Sequence, residues 1–199
     1  MQPIVQEITQ WLRRCGSSPV ALTVVTVLTF VLTHSSVAHA VDEDDLKRLI
    51  ETNECPGCDL READLRRLNL SGANLEGADL EEANFFYAVL DEANLSGADL
   101  RSTIFSYVSA FNALFVGADL EQALMSYADF SGAQMMEANF FEAYIHKTQF
   151  IGSQLQRSNF YATFVHDIDL TGADLCGSTY WGGSDYSRAC NPPVTDLEE

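Results

Sequence analysis

Positive charge is scarce in this 199-residue sequence: 11 lysines and arginines stand against 29 aspartates and glutamates, a formal net charge of −18. A surface that acidic repels phosphate backbones and anionic lipid, so nucleic acid is not an expected partner. Long apolar runs are lacking too. The run from Val20 to Leu32 has thirteen residues, short of the ~20 that span a bilayer. Histidine is limited to His34, His39, His146 and His166. Over most of the chain neither the 3.6-residue period of a helix nor the 2-residue period of a strand is found.

The first forty residues read as a removable address. Arg13 and Arg14 precede the apolar run, and "AHA" at 38–40 supplies small residues for cleavage before Val41. Twin-arginine export is the weaker reading, because "RRCGSS" lacks apolar residues just after the pair. A retained anchor is the other alternative. General secretion with a signal peptide over 1–40 is expected, leaving a chain of net charge −19 without a membrane span.

Export changes the reading of the cysteines. Cys15 leaves with the signal, and Cys55, Cys58, Cys176 and Cys190 remain, an even number where disulfides persist. "CPGC" stands at the start of a run of five-residue repeats, and Cys176 and Cys190 lie at its end, so 55 with 58 and 176 with 190 is the expected pairing of the three possible. The CxxC spacing also serves thiol exchange and zinc. Zinc would need two more ligands nearby, and redox centres usually sit in a βαβ setting that is lacking here. A structural staple is the main expectation.

Residues 42–53, "DEDDLKRLIETN", place acids first and Lys47 and Arg48 after them, with Leu46, Leu49 and Ile50 on one face. This predicts a short amphipathic helix covering the first coil of the repeats. From Cys58 to Gly182 a five-residue frame then runs for 125 residues, 25 pentapeptides, without insertion or deletion. Its centre column is Leu60, Leu65, Leu70, Leu75, Leu80, Phe85 and onward to Tyr180, with Ala110 the one small residue. Two places earlier runs a column of alanines, broken on one side by Leu68, Val108 and Ile168. A second period appears at twenty residues, in Tyr87, Tyr107 and Tyr127 and in Ile104, Leu124, Tyr144 and Phe164. Twenty is four pentapeptides, so each coil has four sides, stacked as in-register strands in a packed solenoid of about six coils at ~4.8 Å each. Stacked rings are expected inside, as Phe85 over Phe105, Phe130 over Phe150 and Phe140 over Phe160, with Val108 and Ala110 exchanging volume. Phe86 and Phe141, one place after the centre, are expected to point outward.

These residues resemble the pentapeptide-repeat family, whose motif is A(D/N)LXX. The resemblance implies an all-β fold, a right-handed quadrilateral β-helix over 58–182, here with the N-terminal capping helix and CxxC in 41–57 and a C-terminal tail or cap over 183–199. Family members include DNA mimics that bind gyrase, and exported proteins of cyanobacterial and plant thylakoid lumens. The signal, the "CPGC" and the cysteine-bearing tail resemble the second group, which implies a thylakoid lumen or periplasm.

Three surface features are candidate sites. His146 and His166 lie one coil apart with Asp167 beside the second, a minor candidate for metal, with no obvious third strong ligand and no nucleophile. Asp59, Asp79, Asp99 and Asp119 form a carboxylate ladder, offset in part by the alternating Arg61, Glu81, Arg101 and Glu121. Asp or Asn at these places is expected to hydrogen-bond turn backbone, with cation binding the lesser reading. The third feature is an outward apolar face of Phe86, Tyr87, Ile104, Tyr107, Leu124, Tyr127, Tyr144 and Phe164. It is either a stabilising ladder or an interaction face for a protein partner or a second copy of the chain. The expected function is therefore a non-enzymatic exported interaction or scaffold protein, with an acidic DNA mimic binding a topoisomerase as the alternative. No cofactor is implied.

Overall fold

The computed structural model describes residues 41–179, all within one compact unit, His39–Glu199. The signal-peptide region over 1–40 and the whole of the tail over 183–199, together with Tyr180 and with Cys190, lie outside the described residues.

The chain begins with α1, Glu43–Thr52. Asp42 caps it by accepting hydrogen bonds from the backbone N–H groups of Asp44 (3.0 Å) and Asp45 (3.1 Å). Asn53 ends it in the left-handed region at φ 60°, its N–H donating to the Leu49 carbonyl. The expected apolar face is narrower than its sequence suggested. Leu49 is fully buried and Leu46 half-buried against the core, but Ile50 is 60% exposed, because one residue turns a helix by about 100° and the contact stripe runs through 46 and 49.

Beyond α1 the repeat builds coils of twenty residues. Parallel bridges join each residue just before a centre to its counterpart twenty places on, such as Glu54 to Asn74, Asp59 to Asp79, Asp64 to Asn84 and Asn69 to Val89, which gives four ladders. The expected in-register stacking is present. Regular strands are few, because a turn every five residues leaves room for one paired residue per side. The turns explain this. In most, the N–H three places after the centre donates to the centre carbonyl, as Ala63 to Leu60 (3.1 Å), and the residue two places after the centre has positive φ. Glycine meets that demand cheaply, as at Gly97 (φ 66°), whereas Tyr87, Tyr107 and Tyr127 hold φ of 58–61° at a steric cost.

Centre residues and alanines fill the interior. Phe85 stacks on Phe105 (5.0 Å), Phe130 on Phe150 (5.5 Å) and Phe140 on Phe160 (4.6 Å), as the repeat phase predicted. Ala110 has a clear role. It leaves room for Phe105 and Phe115, centres two sides apart in the same coil, to meet edge-on at 6.1 Å, with Phe130 of the next coil 5.6–6.0 Å from both. Val108 is buried, while Leu68 and Ile168, in the first and last described coils, are only half-buried because they lack a neighbour on one side.

Several alanine places hold hydroxyls instead. Thr103, Thr148, Thr163, Ser158 and Ser178 are buried and each donates to a backbone carbonyl at 2.5–2.7 Å, which offsets the cost of burying them. Phe86 and Phe141 occupy the outward places expected of them but are half-buried, because Phe86 lies edge-on to Tyr87 and Tyr107, and Phe141 stacks on Tyr161 at 6.0 Å.

Candidate interaction surface

The side whose centres are Leu65, Phe85, Phe105, Met125, Ile145 and Val165 differs from the other three. Elsewhere, an Asp or Asn before the centre usually accepts the N–H two residues later and pins the turn, as Asn94 does for Ser96 (3.1 Å) and Asp129 for Ser131 (2.9 Å). On this side that place passes from Asp64 and Asn84 to Ile104, Leu124, Tyr144 and Phe164, which have no such acceptor. The last three begin the regular strands β1 (Leu124–Ser126), β2 (Tyr144–His146) and β3 (Phe164–His166), paired in parallel in the order β1-β2-β3. Loss of the acceptor is not sufficient by itself, since Leu114 also lacks one and its turn closes through Ala118 to Phe115 (3.1 Å). What distinguishes this side is large apolar residues stacked directly over one another in successive coils, which favours extended pairing.

The corner column completes the face. Tyr87, Tyr107 and Tyr127 stack in parallel at 4.8 and 4.9 Å, Lys147 Nζ lies 5.4 Å over the Tyr127 ring, and His146 meets that ring edge-on at 5.6 Å. Tyr87, Tyr107, Leu124, Tyr127 and Tyr144 are each between 41 and 47% exposed and Phe164 is 67% exposed, while Phe86 and Ile104 are half-buried. The eight residues named from the sequence therefore share one side. Phe111, Ile151 and Tyr161 are exposed on other sides, so apolar exposure is not confined to this face. Lys147 was not foreseen, because a cation above a ring depends on where its long side chain folds.

His146 and His166 pair across β2 and β3, with ring centroids 5.2 Å apart. With Tyr144, Phe164 and Val165 they line an open recess of about 430 Å³, and the Nδ1 of His146 is buried without a hydrogen-bond partner. Asp167 occupies the left-handed corner after β3 at φ 56°. Among the described residues, the groups that bring three metal-binding atoms within 4.8 Å of one another are Asp45 with Cys55 and Cys58, and Asp79 with Glu81 and Asp99.

The carboxylate ladder is tied into its own turns. Asp59, Asp79, Asp99 and Asp119 each accept the N–H two residues later at 3.2–3.4 Å. Arg61 pairs with Asp59 and reaches Asp79 at 3.3 Å, and Arg101 pairs with Asp99 at 2.7 Å and Glu81 at 3.2 Å, so the alternating charges do offset the stack. Burial acts to raise the Asp99 carboxyl, but the hydrogen bonds and charge of Arg101 outweigh it and hold the group below the usual carboxylate range.

At the other end, Cys55 and Cys58 form the expected disulfide, with Cα atoms 5.4 Å apart. Cys176 is also disulfide-bonded, and its expected partner Cys190 lies outside the described residues.

A four-sided stack of pentapeptides defines a class of solenoid, and comparison with known proteins agrees. The profile described as pentapeptide repeats matches in eight copies, over 55–81, 69–106, 78–115, 103–140 and 138–177. The chain belongs to the pentapeptide-repeat family, whose members fold as right-handed quadrilateral β-helices and are generally structural or interaction proteins. Solved structures similar to it include the pentapeptide-repeat protein Rfr23 from the cyanobacterium Cyanothece 51142 (22% identity over 68% of this chain and 92% of that one, TM-score 0.46). HetL, involved in heterocyst differentiation regulation in Nostoc sp. strain PCC 7120, is 23% identical over 67% of this chain and 87% of its own, with TM-score 0.22. QnrB1, a plasmid-mediated fluoroquinolone resistance protein, is 19% identical over 66% and 80%, with TM-score 0.24. No curated protein sequence matches. Among the described residues no helix is long and apolar enough to cross a membrane.

Proposed function

We propose that this chain is a non-enzymatic interaction or scaffold protein, exported to a periplasm or thylakoid lumen, that offers one side of a rigid right-handed four-sided solenoid to a protein partner. The observation that carries this reading is a pair of columns on one side, Tyr87, Tyr107 and Tyr127 at its corner and Leu124, Tyr144 and Phe164 beside them, each residue more than two-fifths exposed. Large exposed apolar patches are rare on soluble monomers and tend to mark interaction sites. Membership of a family whose proteins often bind protein partners supports it. Export rests on the sequence of residues 1–40. The net charge of −18 favours a second reading, an acidic DNA mimic that binds a topoisomerase. An aromatic side weighs against that reading, since a mimic requires acids along its whole outer surface.

The test compares the chain with a Tyr107→Ser, Tyr127→Ser double variant by sedimentation velocity and by capture from an extract of the native compartment. An interaction face predicts loss of association with the melting temperature nearly unchanged. Early melting with every partner retained would make the ladder purely structural. Inhibition of a purified topoisomerase by the wild-type chain would favour the mimic.

A further inference from the structure

Two charged side chains of α1, one of which also caps the first coil, meet the Cys55–Cys58 bond. Arg48 of α1 directs its guanidinium at Cys58 Sγ, and the Asp45 carboxylate lies within 4.8 Å of both sulfurs. Asp45 is itself held, 3.4 Å from Arg48 and accepting the Asp59 N–H at 2.9 Å. A cation beside a sulfur stabilises thiolate over thiol; the Asp45 carboxylate acts the other way, with its charge offset by Arg48 and the Asp59 N–H, and where the cation dominates the stabilised reduced form makes a disulfide easier to reduce. Both sulfurs are buried, but their cover is a ten-residue helix anchored by one fully buried side chain, Leu49. Short helices of this kind open locally at low cost.

We propose that Cys55 and Cys58 form an exchangeable redox centre that accepts two electrons from a protein dithiol, with Arg48 as its positioning residue. When α1 opens, a thiolate of the dithiol attacks Cys55 Sγ. The Cys55–Cys58 bond breaks, and the electron pair leaves on Cys58 as a thiolate that Arg48 holds once the helix closes. The second thiol of the partner, deprotonated, then attacks the partner's own sulfur in the mixed disulfide. The partner departs as a disulfide and Cys55 leaves as a thiolate. Of the partner's two protons one ends on Cys55 and the other passes to solvent. This goes beyond a binding face, since it gives the helical end of the solenoid a chemistry of its own.

Equilibrating the full chain in dithiothreitol redox buffers, with alkylation and peptide mapping at each ratio and circular dichroism to follow folding, tests this. The Cys55–Cys58 bond is expected to open while the coils stay folded, at a less reducing ratio than the disulfide of Cys176. Arg48→Gln is expected to require about tenfold more reducing conditions, about 30 mV, and Arg48→Lys to restore most of the difference. Reduction that occurs only as the domain unfolds, or an equilibrium that is the same in Arg48→Gln and wild type, overturns the proposal and leaves a staple.

Discussion

At the scale of single residues, the five-residue frame makes side chains unequal in predictable ways. Phe130 is fully buried and touches Phe105, Phe115 and Phe150. Phe130→Ala should cost about 3–5 kcal/mol in a urea titration, through lost burial and the cavity left behind. Phe86→Ser should cost clearly less, because Phe86 is half-buried and packs edge-to-face with Tyr87 and Tyr107 on the outer surface. Ala110 inverts the usual logic. Its smallness lets Phe105 and Phe115 meet, so Ala110→Leu should destabilise by about 1–3 kcal/mol through overpacking. Asp99 gives a prediction in pH. Its folded carboxyl titrates below the unfolded value of ~3.9, so its stabilisation is complete above that value and is lost as pH falls through the folded one. Between pH 5 and pH 2 the urea midpoint of Asp99→Asn should therefore fall less than that of the wild type.

At the scale of elements, α1 works as an edge cover. In later coils the N–H before each centre finds a carbonyl in the coil below, as Asp79 donates to Cys58 (2.9 Å) and Asn94 to Ala73 (2.8 Å). The first coil has no coil below it. Asp45 supplies the acceptor for Asp59, and the Asn53 carbonyl accepts from Asn74 at 2.9 Å, so the helix and its C-cap stand in for missing strands. Uncovered parallel edges invite pairing with other chains. Asp45→Ala should therefore raise the tendency to self-associate, seen as added mass in light scattering at rising concentration. Asp42→Ala, which removes only the helix cap, should lower stability by about 1 kcal/mol without that effect. The strands β1 to β3 show the same economy: where acceptor residues give way to stacked Leu124, Tyr144 and Phe164, turns give way to extended pairs.

At the scale of the whole molecule, the sides of the solenoid divide the work. One side bears a carboxylate ladder partly offset by Arg61 and Arg101, and another bears exposed rings with His146 and His166. Acidic sides carry like charge that opposes non-specific association, while under the proposed function the aromatic side is where a partner docks. Raising salt should therefore weaken association through the aromatic side little or not at all, since apolar contacts are not screened. A steep loss of association between 50 and 500 mM salt (roughly a threefold drop in Debye length) would place the contact on the charged sides instead.

The coil of four sides, the inward centres, the stacked phenylalanines and the shared side of the eight aromatic and aliphatic residues were all legible in the sequence, because a strict period makes local position equivalent to place in the fold. Twenty-residue recurrence is itself a statement of contact. Features outside the period were legible only in part. That Ile50 is exposed depends on the rotation of α1, which the first coil sets. That Arg48 and Asp45 meet the disulfide depends on the same docking, since they lie outside the repeat frame in a helix with its own period. Phe86 and Phe141 sit at outward places yet are half-buried, since their neighbours one coil on lean over them. Sequence alone thus determined the repeat and everything in phase with it. Only the tertiary structure decided how the non-repeating helix docks and where long side chains come to rest, because these are set by contacts between segments that share no period.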